Sequence, residues 1–113
     1  FSDIIELMKN ARHFESIEYA DNRISKYSAQ KGKCIITNKL LEIEEIHCHH
    51  VTPKENGGKD EYNNLIIIHK DVHILIHAQN KDTINIYLEK LKLNEKQIEK
   101  LNKYRVLAKR EII

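Results

Sequence analysis

The sequence predicts an α+β domain, and three observations carry that prediction. Residues 65–68 are four consecutive apolar residues, Leu65, Ile66, Ile67 and Ile68, with the length and β-branched content of a buried strand. A turn-rich connection with Pro53 and Gly57-Gly58 precedes that run, and helical spacing follows it. On both sides of this segment, apolar residues recur at three- and four-residue steps, as amphipathic helices require. The arrangement expected is a β-hairpin plus helix embedded among flanking α-helices.

The elements follow in order. Ser2 is a candidate cap for a first helix containing Ile4, Ile5, Leu7 and Met8. Ser16 is the candidate N-cap of a second, with Ile17, Ala20, Ile24 and Tyr27 at helical spacing and Gly32 as its C′ glycine. Residues 34–36 read as a short strand and Thr37-Asn38-Lys39 as a turn. Residues 44–51 should be extended, because Pro53 pushes Thr52 towards the β region. Gly57-Gly58 supplies backbone freedom in the connection to the strand at 65–68. A helix begins near Lys70-Asp71, with Val72, Leu75 and Ile76 facing inward and Asp71 suited to its N-terminal dipole. Asp82 or Thr83 caps the next helix, which contains Ile84, Ile86, Tyr87, Leu88 and Leu91. Asn94 caps the last, with Ile98, Leu101, Tyr104, Leu107 and Ala108 as its stripe. Arg105 and Arg110 read as surface charge.

At 113 residues, the chain has room for one domain with one core. Its parts are residues 1–33 (N-terminal helices), 34–80 (the hairpin-and-helix core) and 81–113 (C-terminal helices). The start at Phe1 rather than Met predicts a domain excised from a larger protein. The composition, 41% hydrophobic and 32% charged, suits a globular protein, and no apolar run reaches the ~18 residues of a membrane span. Two cysteines, Cys34 and Cys48, make no disulfide framework, so a reduced, cytoplasmic setting is expected, with each cysteine a small buried hydrophobe. A net charge of +2 with interleaved signs says little about partners.

The histidines say more. Six of the seven, His47, His49, His50, His69, His73 and His77, fall within one stretch. Imidazole is both a common metal ligand and the usual general base near neutral pH. His73 and His77, four apart on a predicted helix, leave from one face and can share an ion. His49 and His50, adjacent on a predicted strand, point to opposite faces, while His47 shares the side of His49. Asn64 offers an amide able to fix the orientation of an imidazole.

His49-His50, Pro53, Gly57-Gly58, Asn64-Leu65, His73 and His77 together resemble the HNH endonuclease motif. Asn64 falls 14 residues after His50, His73 nine after Asn64, and His77 four later. A narrower resemblance covers residues 18–25, 27–34, 48–50, Pro53-Lys54, Gly57-Gly58, Asp60-Glu61-Tyr62 and 69–73. It is to the C-terminal endonuclease domain of bacterial group II intron reverse transcriptase/maturases.

The resemblance implies a ββα-metal finger that hydrolyses phosphodiester bonds. It makes His50 the general base and Asn64 the residue that holds the His50 ring or its loop. His49, His73 and His77 become ligands of one divalent metal ion. Activity is expected with Mg²⁺ or Mn²⁺, while a purified sample can carry Zn²⁺ or Ni²⁺, which three imidazoles suit by softness. The implied substrate is double-stranded DNA, cut to a 5′-phosphate and a 3′-hydroxyl. The nick then primes reverse transcription in a bacterial cytoplasm, with intron RNA engaged through the parent protein.

Two further expectations concern the rest of the histidine segment. Many HNH proteins carry a structural zinc on two Cys-x-x-Cys pairs; the corresponding positions here are Cys34, Thr37, His69 and Val72, so no such zinc is expected. His69 is then a helix-start or a surface residue. His47 either supports a ligand, faces DNA or is a plain strand residue, and Lys54, Lys59 and Lys70 are candidate phosphate contacts. The rival readings are a free-standing HNH nuclease and a metal-stabilised nucleic-acid-binding module without catalysis.

Overall fold

The structure, a computed structural model, describes residues 16–113. The helix expected after Ser2, together with His13, lies outside the described residues. Helix α1 (Ile17–Ala29) is followed by strands β1 (Ile46–His50) and β2 (Leu65–His69), then helices α2 (Lys70–His77), α3 (Lys81–Leu91) and α4 (Glu95–Leu107). The fold is α+β: a two-stranded antiparallel hairpin among four helices of the described residues, consistent with a ββα-metal arrangement.

The hairpin register pairs His49 with Ile66 and His50 with Leu65. Strand alternation therefore sends His47 and His49 to one face and Cys48 and His50 to the other. Helix α2 covers the first face, where the His49 ring meets those of His73 and His77. Helix α1 covers the second, where Tyr19 stacks on His50 with centroids 5.2 Å apart. The Gln30 side chain just past α1 acts like a short strand: its Oε1 accepts from Ile67 N and its Nε2 donates to Ile67 O, both at 2.9 Å. Covered on both faces, Leu65, Ile66, Ile67 and Ile68 are all buried and show no alternation.

Helix α2 follows β2 without a linker. His69 caps it, Nδ1 accepting from Asp71 N while Nε2 donates to Glu45 Oε2, each at 2.9 Å, so His69 is a helix-start residue. Val72, Leu75 and Ile76 are buried inward as the spacing predicts. They join Tyr27 of α1, the hairpin isoleucines, and Leu101 and Tyr104 of α4 in one core. Ser16 caps α1 by accepting from Tyr19 N, and Asn94 caps α4 in a reciprocal pairing with Gln97.

Several local expectations are corrected. Residues 34–36 form no strand: the turn around Asn38 (φ 61°) begins at once, with Asn38 N donating to Cys34 O, and only a bridge between Lys33 and Leu40 forms. The extended stretch is shorter than 44–51, because Ile43–Glu45 coil into a 3-10 turn closed by Glu42 N donating to Glu45 Oε1. Gly32 lies one residue beyond C′. Lys31 takes the left-handed C′ position (φ 56°), and Gly32 N closes the six-residue Schellman bond to Tyr27 O. Asn80, not Asp82 or Thr83, caps α3, its Oδ1 accepting from both of their amides. Ile17 and Leu107, placed on apolar stripes, are exposed at helix ends, and Cys48 is only partly buried. Arg105 is not surface charge: it is 2% exposed and spends its guanidinium on backbone carbonyls of the α2 terminus, while Arg110 donates to His77 O.

Candidate functional site

Strand β1 supplies His49 and helix α2 supplies His73 and His77, one turn apart. Each offers one ring nitrogen, and the three lie within 4.8 Å of one another. Strand alternation aims His49 at α2, and the four-residue helical step stacks the other two opposite it. His49 is 2% exposed and its Nε2 is buried without a hydrogen-bond partner. An orphaned buried imidazole nitrogen is costly unless something coordinates it. That atom, converging with two further imidazoles, fits a bound metal ion, and three imidazoles leave coordination positions open for other ligands.

The electrostatics suit these rings to metal coordination. Burial, reinforced by neighbouring imidazoles, lowers His49 from 6.5 to about 3 and His73 to about 4. Burial also lowers His77, with Arg110 and Arg105 adding to the effect and Glu55 opposing it. All three are therefore neutral near pH 7, the form that coordinates a metal. His47 Nδ1 lies 2.9 Å from His73 Nδ1, so this bond fixes the His73 ring and leaves its Nε2 for an ion.

On the opposite face of the hairpin, His50 Nε2 lies 2.8 Å from Asp60 Oδ1. Hydrogen bonds, first from Ser16 and then from His50 and Lys54, outweigh burial and hold Asp60 at about 2. An ionised carboxylate only accepts, so His50 carries its proton on Nε2 and keeps the Nδ1 lone pair. Ser16 Oγ donates to Asp60 Oδ2 at 2.6 Å, and Asn22 Nδ2 donates to Asp60 O at 2.9 Å. The N-terminus of α1 thus anchors the loop residue that orients His50. Sequence reasoning missed this role of Asp60. Nothing local singles it out, because Glu55 and Glu61 lie in the same connection, and its one mark is its place among the residues similar to the maturase branch.

Asn64 closes the same loop. Its Oδ1 accepts from Thr52 N at 2.8 Å, and its Nδ2 donates to Thr52 O at 3.0 Å and Lys59 O at 2.9 Å. Both amide hydrogens are spent on backbone, so of the two partners expected for it, the ring and the loop, Asn64 engages the loop. Gly58 permits the tight path: a Cβ there would lie 1.7 Å from Thr52 O. Lys54 Nζ is 3.2 Å from Asp60, Lys59 and Lys70 are exposed, and Cys34 and Cys48 form no disulfide among the described residues. No helix of the described residues is long and apolar enough to cross a membrane.

Three comparisons with known proteins bear on these observations. A family model described as HNH endonuclease matches residues 32–79, the stretch from the end of the α1 cap through the hairpin and α2. No curated protein and no solved structure matches the chain.

Proposed function

We propose, from the HNH endonuclease match over residues 32–79 and the histidine triad, that this chain is a metal-dependent DNA endonuclease. The observation that carries the reading is the convergence of His49, His73 and His77 around the orphaned Nε2 of His49. These three residues hold one divalent ion. When bound, it supplies Lewis-acid stabilisation of charge on the scissile phosphate and the leaving 3′ oxygen, with Mg²⁺ or Mn²⁺ in turnover.

The remaining work falls to the chain's own groups. His50 Nδ1 takes a proton from the attacking water as general base, while Nε2–H stays on Asp60 and the resulting imidazolium is stabilised by that carboxylate. Asn64 keeps residues 52–59 in the path that places Asp60 and His50 together. Lys54 and Lys70 supply positive charge for phosphates flanking the cut. Hydrolysis leaves a 5′-phosphate and a 3′-hydroxyl on double-stranded DNA.

The finer reading is a nickase for target-primed reverse transcription in group II intron mobility, with intron RNA engaged through a parent protein in a bacterial cytoplasm. Its support is the run of residues similar to that branch, from Glu18 to Cys34 and from Cys48 to His73.

Single-turnover cleavage of supercoiled plasmid by excess protein tests the coarse reading. Conversion to open circle in Mg²⁺ or Mn²⁺ is expected, with loss in EDTA and in His50→Ala, and polymerase extension from the nick reports the 3′-hydroxyl. Nicking by His50→Ala at the wild-type rate would remove His50 from the reaction. Double-strand linearisation with no nicked intermediate would count against the intron-priming role.

A further inference from the structure

The C-terminal end of α2 is capped in an uncommon way. Helix ends leave four carbonyls without intrahelical partners, here those of Ile74, Leu75, Ile76 and His77. Ile74 O accepts from Ala78 N, but the chain then leaves in an extended conformation at Ala78 (φ −63°, ψ 135°), with no left-handed C′ residue to satisfy the rest. Two arginines from the far end of the chain complete the set. Arg105 Nη1 donates to Leu75 O and Ile76 O, and to Ala78 O at 3.0 Å, while its Nε donates to Glu111 O at 2.7 Å. Arg110 Nε donates to His77 O at 3.0 Å. Arg105 is 2% exposed, a buried guanidinium held by backbone carbonyls at the negative end of a helix dipole.

This cap sits on the turn that carries His77, so its consequence reaches the ion site. A terminal helical turn frays when its carbonyls are unsatisfied, and His77 can share an ion with His73 only while that turn stays helical. We infer that Arg105 and Arg110 are positioning residues for the metal centre, holding the His77 backbone where its ring meets those of His49 and His73. The inference rests on the metal reading above. It assigns the last turn of α4 and the segment after it, outside the matched residues 32–79, a direct part in metal affinity.

Charge alone makes the opposite prediction. A guanidinium beside a metal ligand repels the incoming cation, so removing it for purely electrostatic reasons would tighten binding. Weaker binding in an arginine variant therefore reports geometry.

The test is titration of the full chain with Co²⁺, followed by its d–d absorption and by competition with a chromophoric chelator. Arg110→Ala, a partly exposed site, should fold. Arg105→Lys serves where Arg105→Ala does not. Lowered Co²⁺ affinity of about tenfold or more in Arg110→Ala, with an altered d–d spectrum, is the expected result. A fall in metal-free Tm with unchanged Co²⁺ affinity would make the cap purely structural and overturn the inference, as would tighter binding. Absence of Co²⁺ binding by the wild-type chain would overturn the metal reading itself, so the two failures are distinguishable.

Discussion

His50 and His49 are neighbours in sequence, yet they meet different chemistry because a strand turns successive side chains to opposite faces. His49 enters a pocket of imidazoles, whereas His50 lies between Tyr19 and the Asp60 carboxylate. The Asp60 contact sets the tautomer of His50 and supports positive charge on it. Asp60→Asn keeps the shape and removes the charge. Its single-turnover cleavage rate should fall about 10- to 100-fold, while the metal affinity of the triad stays at the wild-type value. An unchanged rate would show that Asp60 only shapes the loop. A second residue-scale consequence is pH dependence. His49 and His73 are lowered to about 3 and about 4, so between pH 6.5 and those values the unfolded chain binds protons that the folded chain refuses. Their contribution to stability is complete above pH 6.5 and is lost as the pH falls towards 4. The Tm of metal-free protein should therefore drop between pH 7.5 and pH 5. A Tm flat across that range would mean the rings are not buried neutral.

At the scale of elements, the strand–loop–strand–helix segment was legible because each piece has a local cause. The apolar run marks β2, the three- and four-residue spacing marks α2, and Gly57-Gly58 marks the connection. Some of the pieces that misled turned on short-range turn and cap details, and others were set by contacts distant in sequence. Residues 34–36 look like a strand by composition, but their only sheet bond is Ile35 N donating to Ile67 O before the Asn38 turn intervenes. Arg105 and Arg110 read as surface charge because nothing local reveals that α2 ends without a glycine cap of its own. Asp60 was likewise invisible as the partner of His50, since the bond spans a ten-residue loop. That loop yields its own prediction. A methyl group at Gly58 meets the Thr52 carbonyl at 1.7 Å, backbone against backbone, so Gly58→Ala must displace the loop that Asn64 holds. We expect a loss of about 1–3 kcal/mol in urea denaturation and a lower cleavage rate, with the helices intact by circular dichroism. Wild-type stability and rate would show that the loop path is not needed.

Across the whole molecule, the hairpin has no core of its own. Tyr27 from α1 and Leu101 and Tyr104 from α4 complete the cluster built by Ile66, Ile67, Ile68 and the inner face of α2. The flanking helices also reach the site directly: α1 through Ser16, Tyr19 and Asn22, and the C-terminal segment through Arg105 and Arg110. The matched segment is thus the centre of a larger unit in which outer helices align both faces of the hairpin. The central claim is that one divalent ion is held by His49, His73 and His77. Native mass spectrometry of the Zn²⁺-loaded chain tests it most directly, by counting ions in the wild type and in single alanine variants. One ion per chain is predicted for the wild type and for His50→Ala, and none for His49→Ala, His73→Ala or His77→Ala. Full occupancy after loss of any of those three, or no ion in the wild type, would contradict it.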